Sequence, residues 1–455
     1  YADSRELREE VYTAFVTRAS DQGPNAGKFD NAPILEEILA LRQELARLLG
    51  FDTYADYSLT TKMADSPAQV LDFLEDLARR AKPQAQEEFA ELSAYARDEL
   101  GIETLNPWDV AYVSEKLREA RYAISQEQLR PYFPAPRVVD GLFQVVERLY
   151  NVQVKEDSSA PSYHDDVRFF RITEQGKPIA GFYLDLYARE GKRGGAWMAD
   201  CRVRRKTENG VQLPVAFLTC NFTAPVGGKP ALLTHDEVTT LFHEFGHGLH
   251  HMLTKQDVAD VSGINGVAWD AVELPSQFME NYCWEREGLD LLAKHVDTGE
   301  PLPDVLFERL QAAKNFQSAM GMVRQIEFSL FDLRLHHELE APSASDVQTL
   351  LDDVRRQTSV VPVVDFNRFQ NSFSHIFAGG YAAGYYSYKW AEVLSADAWS
   401  AFEEAGIFDP DTGQRFREEI LEQGGARDAA ELFRAFRGRE PSVEPLLRHS
   451  GIRAA

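Results

Sequence analysis

The sequence has few of the features that mark disulfide-bonded, membrane-spanning or repetitive proteins. Its 455 residues include only three cysteines, Cys201, Cys220 and Cys283, and no Cys-x-x-Cys pair occurs. A disulfide framework is therefore not indicated, which fits a cytoplasmic location, and we expect these cysteines to be small apolar core residues. No segment approaches the ~20 apolar residues that a membrane span needs, and we find no internal repeat or low-complexity segment.

Basic residues are also scarce relative to acidic ones. The chain has 48 lysines and arginines against 72 aspartates and glutamates, which gives a net charge of −24. Such a surface repels phosphates and anionic lipid heads, so nucleic acids and membranes are not expected as partners. The acidity either serves solubility or favours cationic peptides, and the composition leaves both interpretations open. The hydrophobic fraction of 44% is ordinary for a globular protein with a large core.

Apolar spacing predicts helices on both sides of a short strand-rich segment. Residues 1–160 have helical spacing, with one helix that begins at Ser66-Pro67 and that Pro83 is expected to kink or end. Residues 231–455 again read as helices, so the chain is predicted to be mainly α.

Between residues 163 and 223 the pattern changes to that of β-strands. Four segments are rich in aromatic and β-branched residues, and the turn sequences Glu174-Gln-Gly-Lys177 and Glu208-Asn-Gly-Val211 lie between them. We therefore predict a small antiparallel sheet. An extended peptide could add to its edge as a further strand, although a purely supporting role for the sheet is an equally good interpretation.

The most informative stretch is His243-Glu-Phe-Gly-His247, which has the pattern His-Glu-x-x-His. On a helix the two histidines lie one turn apart on the same face, so both imidazoles can reach one Zn²⁺. Glu244 lies at the edge of that face, where it can reach a water molecule that the metal activates. The pattern therefore indicates a zinc hydrolase.

The surroundings of this motif support a helix. Thr234 and Glu237 form a capping box that would begin it, and we predict a helix over 235–253. Gly246 and Gly248 flank the second histidine, and each costs about 1 kcal/mol in a helix. The presence of two glycines in this helix needs an explanation. Close approach of other groups to the helix would be one.

A catalytic zinc site needs a third protein ligand and an open fourth position. His250 is the nearest candidate in sequence, but three ligands within two turns would give poor tetrahedral angles. Glu273, at the start of a second helix with Pro275 in its first turn, is the better candidate. Spacing alone explains Glu273 equally well as an acid that favours the helix dipole. Glu280 could orient a histidine or lie on the helix surface.

A third block, residues 373–388, is rich in glycine and tyrosine. Tyr381, Tyr385 and Tyr388 are spaced i, i+4 and i+7, so on a helix they would form one stripe. An aromatic stripe alone is more typical of a core, but three phenol groups need hydrogen-bond partners, which favours a polar cleft wall. The two adjacent glycines before them suit a segment that can close over a ligand.

Together these blocks resemble the thimet oligopeptidase and oligopeptidase A family of zinc peptidases. The string His-Glu-Phe-Gly-His is followed by Glu273-Leu-Pro-Ser-Gln-Phe-Met-Glu280, and Phe373-Ser-His-Ile-Phe-Ala-Gly-Gly-Tyr381 opens the third block. The likeness begins at Arg18-Ala-Ser-Asp-Gln-Gly23 and runs nearly to the end of the chain. The bacterial oligopeptidase A branch is the most similar.

The resemblance implies a multi-helical zincin-like fold, with the sheet beside the zinc helix and a deep channel between helical walls. Residues 1–160 would form part of one wall, and residues 161–455 would form the catalytic region, with C-terminal helices over 274–455. Members of the family carry a further helical segment before the point at which this chain begins. We therefore expect the catalytic portion of a longer protein, as a monomer that can associate with that segment.

The resemblance also implies roles at the metal site. It makes Glu273 the third ligand of a single Zn²⁺, beside His243 and His247. Glu244 would accept the proton of the attacking water and then deliver it to the leaving amine.

The third block would supply donors and substrate contacts. Tyr388 is the first choice and Tyr385 the second as hydrogen-bond donor to the oxyanion, with His375 also in reach. Contacts to the substrate backbone are assigned to the three neighbours Gly379, Gly380 and Tyr381.

The sequence thus predicts a zinc-dependent endopeptidase that hydrolyses short unstructured peptides. A dipeptidyl carboxypeptidase of the same family is the nearest alternative, and it would need a cationic group to hold the free C-terminus of the substrate. A catalytically silent peptide-binding fragment is an alternative from another class. Glu244 argues against that alternative, because a binding module has no use for a base beside zinc.

Overall fold

The structure, a computed structural model, describes residues 2–453. The chain divides into two compact units that interleave along the sequence. The first unit comprises Tyr1–Ala123, Ala312–Trp390 and Leu447–Ala455, and the second comprises Ile124–Gln311 and Ala391–Leu446. The division expected at residue 160 concerns the walls of a channel and stays a prediction.

The helices account for most of the chain, as predicted. In chain order they are α1 (Arg5–Val16), α2 (Ala32–Leu48), α3 (Tyr54–Leu59), α4 (Pro67–Leu100), α5 (Pro107–Tyr122), α6 (Gln126–Leu129), α7 (Ala135–Tyr150), α8 (His235–Met252), α9 (Leu274–Glu280), α10 (Arg286–Leu292), α11 (Asp304–Ala313), α12 (Ser318–Glu338), α13 (Ala344–Thr358), α14 (Ser374–Phe377), α15 (Ser387–Ala405), α16 (Pro410–Phe416), α17 (Ala429–Arg437) and α18 (Glu444–His449). None of those within residues 2–453 is long and apolar enough to cross a lipid bilayer.

The long helix α4 begins as predicted but does not end where expected. The Ser66 side chain caps it and Pro67 lies in its first turn, yet the helix continues through Pro83 to Leu100. An interior proline costs about 3 kcal/mol. Tertiary packing offsets that cost, because α4 packs along α12 and its buried stripe continues on both sides of the proline.

The strands are β1 (Gln153–Glu156), β2 (Arg168–Glu174), β3 (Lys177–Tyr187), β4 (Trp197–Arg202), β5 (Arg205–Thr207), β6 (Gly210–Gln212) and β7 (Val215–Phe222). Five of them form one sheet in the order β1-β2-β3-β7-β4, and β5 and β6 form a separate hairpin. The β2–β3 turn is as predicted, with positive φ at Gln175 and Gly176, the backbone of a two-residue hairpin turn.

The expectation of a fully antiparallel sheet is wrong for one pair of strands. β3 and β7 are parallel, with Leu184 opposite Leu218, whereas the other pairings are antiparallel. After β3 the chain first forms β4 and the β5–β6 hairpin, and it then returns between β3 and β4. The short strand β1 was also missed, because only Val154 of its four residues is buried and no alternation marks it.

Aromatic packing in the second unit fixes helix α8 against the sheet. The Phe182 ring of β3 lies 5.1 Å from Phe170 of β2 and 5.2 Å from Phe245 of α8, and Phe143 of α7 completes the cluster. Each large ring buried in this way contributes roughly 2 kcal/mol. The helix with the histidine motif is therefore held by a rigid core.

The cysteines are free, and two of the three positions were predicted correctly. Cys220 and Cys283 are buried, as expected for small apolar residues, but Cys201 is exposed. Cys201 lies near the end of β4. This is an edge strand, and its last three residues are exposed.

Candidate metal centre

Helix α8 forms as the sequence predicts, and its glycines explain its contacts. Thr234 and Glu237 make a reciprocal capping box at its start. A Cβ atom on Gly246 would lie 2.4 Å from the carbonyl oxygen of Pro275, and one on Gly248 would lie 2.9 Å from Leu218 of β7. The two glycines therefore allow α9 and the sheet to approach the histidine helix closely.

The side chains of His243, His247 and Glu273 converge on one point. Glu273 Oε2 lies 3.2 Å from His243 Nε2 and 3.1 Å from His247 Nε2, and the three ligand atoms lie within 4.8 Å of one another. Ligands about 2 Å from a tetrahedral ion lie about 3.3 Å apart. The three residues could therefore hold a divalent metal. Glu273, which spacing left with two interpretations, is brought to both histidines because α9 crosses α8.

Neighbouring groups orient these side chains. His243 Nδ1 donates to Glu280 Oε1 at 2.6 Å, which directs Nε2 of the same ring toward Glu273. Ser276 Oγ lies 3.0 Å from Glu273 Oε2 and 2.8 Å from the backbone carbonyl of Glu273. The geometry favours the orienting interpretation of Glu280, since such contacts fix the tautomer and direction of a ligating histidine. Ser276 was not predicted from the sequence, although its spacing of three residues from Glu273 on a helix was a usable signal.

The charges of the cluster depend on one another. Burial disfavours protonation of His243, but hydrogen bonds to Glu273 and Glu280 outweigh it and raise the pKa of His243 to about 10. Burial also disfavours the charged form of Glu273, yet His243 and His247 lower the pKa of Glu273 well below its usual range. Glu273 is thus a carboxylate, and a metal would displace the proton that His243 otherwise holds.

Glu244 lies beside the ligands without joining them. It is 6% exposed, and burial raises its pKa although the nearby charges of His243 and His247 oppose the change. A hydrogen bond from the backbone of Met198, in edge strand β4, lowers the pKa of Glu244 in turn. A buried carboxyl group with a raised pKa is suited to accept and return a proton.

The other histidines of this region lie outside the converging group. Burial lowers the pKa of His250 to about 3, so its ring is neutral. His251 Nε2 contacts the carbonyl oxygen of Arg202 at 2.9 Å, and His235 Nε2 contacts that of Cys283 at 2.8 Å. These contacts tie α8 to its neighbours and are structural.

The residues predicted from the third block lie in the first unit and form a cluster of their own, which we call the tyrosine cluster: His375, Tyr381, Tyr385 and Tyr388. Tyr381 stacks on Tyr388 with ring centres 4.9 Å apart, and Tyr385 lies edge-on to Tyr388 at 5.2 Å. The His375 ring lies 5.6 Å from that of Tyr385. The four rings therefore form one connected aromatic cluster, and their role in a site stays a prediction.

The helical stripe predicted for these tyrosines is nevertheless wrong. Only Tyr388 lies on a helix, in the first turn of α15, whereas Tyr381 and Tyr385 lie in the turns before it. Gly379 and Gly380 precede them and are exposed. Gly380 has a φ of +84° with no heavy atom within 4 Å of a Cβ position. A left-handed φ favours glycine there.

The sequence of the chain matches a known protein family and several known proteins. The family model described as "Peptidase family M3" matches residues 1–452. The chain is 59% identical to "Oligopeptidase A" of Haemophilus influenzae over 99% of its length and 67% of that protein. It is 35% identical to "Dipeptidyl carboxypeptidase" of Escherichia coli over 98% of its length and 65% of that protein.

Solved structures agree in fold. "PZ peptidase A with inhibitor 2" matches with a TM-score of 0.60 and 16% identity, over 98% of this chain and 67% of that one. A likeness at this identity shows the fold alone, and it is that of a helical zincin-like protein, as predicted. The sequence match over the whole chain carries the assignment: the chain belongs to peptidase family M3 and is a metallopeptidase that hydrolyses peptide bonds.

Proposed function

We propose that the protein is a zinc-dependent endopeptidase that cleaves short unstructured peptides. The observation that carries the proposal is the convergence of His243 Nε2, His247 Nε2 and Glu273 Oε2 within 4.8 Å, with Glu244 buried beside them. Two imidazoles and one carboxylate are the ligand set of a catalytic zinc site. Zinc bound there would polarise the substrate carbonyl and acidify the attacking water.

Glu244 supplies the proton transfers in this proposal. Its carboxylate accepts a proton from the attacking water and delivers that proton to the nitrogen of the leaving amine. Its position next to His243 and its burial support this role, because general base catalysis needs a carboxyl group held close to the reacting atoms.

The tyrosine cluster supplies the polar donors. We assign Tyr388 first and Tyr385 second as donor to the developing oxyanion, with His375 as a further donor. Burial raises the pKa of Tyr385 to about 12, so its phenol stays protonated and can donate at neutral pH. Tyr381 and the glycine pair contact the substrate backbone in this scheme.

Edge strand β4 is the surface in the second unit that suits an extended substrate. Within residues 2–453 it pairs on one side only, with β7, and its Met198 lies against Glu244. Backbone hydrogen bonds to a sheet edge are indifferent to side chains. Addition of the peptide to β4 would place it beside the proton acceptor and would permit varied sequences.

A quenched fluorescent peptide assay with and without chelator tests the proposal. We expect chelator-sensitive cleavage, restored by zinc, and bound metal close to one ion per chain. Glu244→Gln should keep the metal and lose turnover by on the order of 10³-fold. Turnover by this variant at the wild-type rate would remove Glu244 from the role of base.

A dipeptidyl carboxypeptidase is the second candidate, favoured by the 35% identity to a protein of that name. A peptide with an amidated C-terminus separates the two activities. An endopeptidase cleaves it, whereas an enzyme that must hold a free carboxylate does not. Binding of peptide without any cleavage would instead indicate a silent binding fragment. The cytoplasmic location expected from cysteine usage belongs to the same proposal.

A further inference from the structure

The turn that contains Tyr381 and Tyr385 has a strained backbone. Residues 378–386 join α14 to α15, and Ala383 within them is fully buried with a φ of +48°. A residue with a Cβ atom disfavours this left-handed conformation. A favourable interaction must therefore hold Ala383 in place.

Asp332 of helix α12 provides that interaction. Its buried carboxylate accepts three consecutive backbone N–H groups: Oδ1 from Ala383 at 2.9 Å, and Oδ2 from Gly384 and Tyr385 at 2.8 Å each. Successive amides that turn toward one anion form a nest. The left-handed backbone of Ala383 belongs to this turn, so the carboxylate and the strain are coupled.

A second set of contacts surrounds Asp332 on α12. His336, one turn further along α12, lies with Nδ1 3.1 Å from Asp332 Oδ1. Arg42 Nη1 lies 3.0 Å from His336 Nε2. Because an arginine can only donate, Nε2 accepts and the ring proton lies on Nδ1. Nδ1 donates to the backbone carbonyl of Asp332 at 2.8 Å, with Oδ1 of the same residue close by. Arg42 and His336 therefore pack against Asp332 and enclose its carboxylate.

Further contacts hold the same half of the turn. Ser58 Oγ donates to the carbonyl of Ala382 at 3.0 Å, and Tyr385 Oη donates to Gln325 Oε1 of α12 at 3.1 Å. The first turn of α15 follows directly, with Ser387 N bonded to the carbonyl of Gly384. The glycine pair at 379–380, by contrast, is exposed.

We propose that Asp332 is a positioning residue for the proposed peptidase reaction. It fixes residues 382–386, and through them Tyr385 and Tyr388, while it leaves the exposed pair Gly379-Gly380 as the part of the turn that can move. The inference rests on the proposed function for its catalytic consequence, but not for the nest itself.

The first experiment measures amide hydrogen exchange by mass spectrometry, with overlapping peptides over residues 374–392. In the wild type, the amides of 383–385 should exchange slowly, and those of Gly379 and Gly380 should exchange fast. Asp332→Asn keeps the size of the side chain but replaces one acceptor oxygen by an NH₂ group, so protection of 383–385 should fall. Equal protection in both halves of the wild-type turn would overturn the proposal, whether or not the variant folds.

The second experiment measures kcat and KM of Asp332→Asn at a temperature well below unfolding. We expect kcat to fall by on the order of 10²-fold with a smaller change in KM, since a displacement of about 1 Å can have that effect. Asp397→Asn is the matched control. Asp397 is also fully buried, and it accepts from Arg437, Arg439 and the backbone of Ser442 in the second unit. It should lose stability and keep kcat.

A double variant separates positioning from general damage. If Asp332 acts through the tyrosines, Asp332→Asn combined with Tyr388→Phe should lose less kcat than the product of the two single losses. Independent, multiplying losses would contradict the proposal. If the wild type shows no chelator-sensitive cleavage, the proposed function fails, and the exchange measurement still decides whether Asp332 forms the nest.

Discussion

The phenol groups of the tyrosine cluster differ in their surroundings, residue by residue. Tyr385 is buried and donates its hydroxyl hydrogen to Gln325. Tyr388 is only half-buried, and it contacts two other rings of the cluster. A donor to a substrate must be able to leave its resting partner at little cost. Because Tyr385 must first give up its bond to Gln325, the more exposed Tyr388 stays the first choice in this proposal.

Tyr388→Phe tests this ranking. We expect kcat to fall by about 10²-fold, as for loss of one oxyanion donor, and KM to change less, because the ring and its stacking remain. Tyr386→Phe is the control, since Tyr386 packs on Trp390 instead of joining the cluster. Steady-state kinetics of both variants on one peptide give the comparison. An unchanged kcat for Tyr388→Phe would exclude Tyr388 as the donor.

Some site residues could be predicted from sequence because local geometry brings them together. His243 and His247 share a helix face, and a helix of fixed pitch requires no further information. Glu273 needed the resemblance, because its distance from the histidines depends on how two helices cross. Asp332 gave no signal, since its partners lie 51 to 53 positions later in a turn without regular period.

At the scale of elements, the crossing of α8 and α9 sets the metal centre. It depends on Gly246, where a Cβ atom would meet the backbone of Pro275 and Ser276 at 2.4 and 2.5 Å. Backbone atoms cannot rotate away as the end of a side chain can. A methyl group at position 246 must therefore push α9, and with it Glu273, away from the histidines.

Gly246→Ala should destabilise the protein by about 2 kcal/mol, as overpacked cores do, and weaken metal binding. Gly321→Ala is a matched control on helix α12, where no heavy atom lies within 4 Å of the added Cβ. That change should stabilise by roughly 0.5 to 1 kcal/mol. Thermal unfolding and competition with a chromophoric chelator give the two readouts. Full metal affinity in Gly246→Ala would contradict the close-approach argument.

Strand β3 ends at a buried ion pair that holds the turn leading to β4. Asp185 lies 2.7 Å from Arg189 and 2.8 Å from the buried ammonium group of Lys192, which also donates to the carbonyl of Tyr187. Burial disfavours the charged form of Asp185, but these partners and Tyr163 outweigh it and lower its pKa. Neither the pair nor its role was predicted, because the sequence alone did not show that this loop folds back.

Asp185→Asn should destabilise the protein by about 3 kcal/mol at neutral pH, because it leaves the Lys192 ammonium group buried without its carboxylate. The folded pKa of Asp185 is lowered, so its contribution is present above the unfolded value of about 3.9. It is lost as the pH falls through the folded pKa. Denaturant unfolding at several pH values should show the wild-type advantage shrink below about pH 4.

The surface aspartate Asp353 provides the control for this experiment. Its pKa is also lowered, by Arg334 and Arg356, but it is partly exposed. Exposed ion pairs contribute little, so Asp353→Asn should cost much less than Asp185→Asn. Equal losses in the two variants, or a wild-type advantage at pH 3 that is as large as at neutral pH, would show that the buried pair is not the cause.

Element types were largely predictable, and the exceptions have physical causes. The helix α8 carries its own capping and periodicity, and the β2–β3 turn carries its own turn sequence. The parallel pairing of β3 with β7 depends on where a returning strand inserts, which local patterns do not encode. The tyrosines at i, i+4 and i+7 fit a helix, but the Asp332 contact holds Tyr385 in a turn instead, and Tyr381 lies before it outside any helix.

At the scale of the whole molecule, the chain forms two compact units that each combine distant segments. The three candidate metal ligands all belong to the second unit, and the tyrosine cluster with Asp332 belongs to the first. Composition and length gave no indication of this interleaving, because each unit is held together by contacts between segments far apart in the sequence. Bound metal should accordingly stabilise the second unit.

Chelation should therefore loosen the second unit selectively. A ligand that binds only the folded state stabilises it by about 4 kcal/mol at a thousand times its dissociation constant. After metal removal, hydrogen exchange should accelerate in α8 and α9, while α4 and α12 of the first unit keep their protection. Glu273→Gln lacks one ligand and should respond little to the chelator. Equal acceleration in both units would mean that they unfold together, and no acceleration in α8 would mean that the metal is not held by His243 and His247.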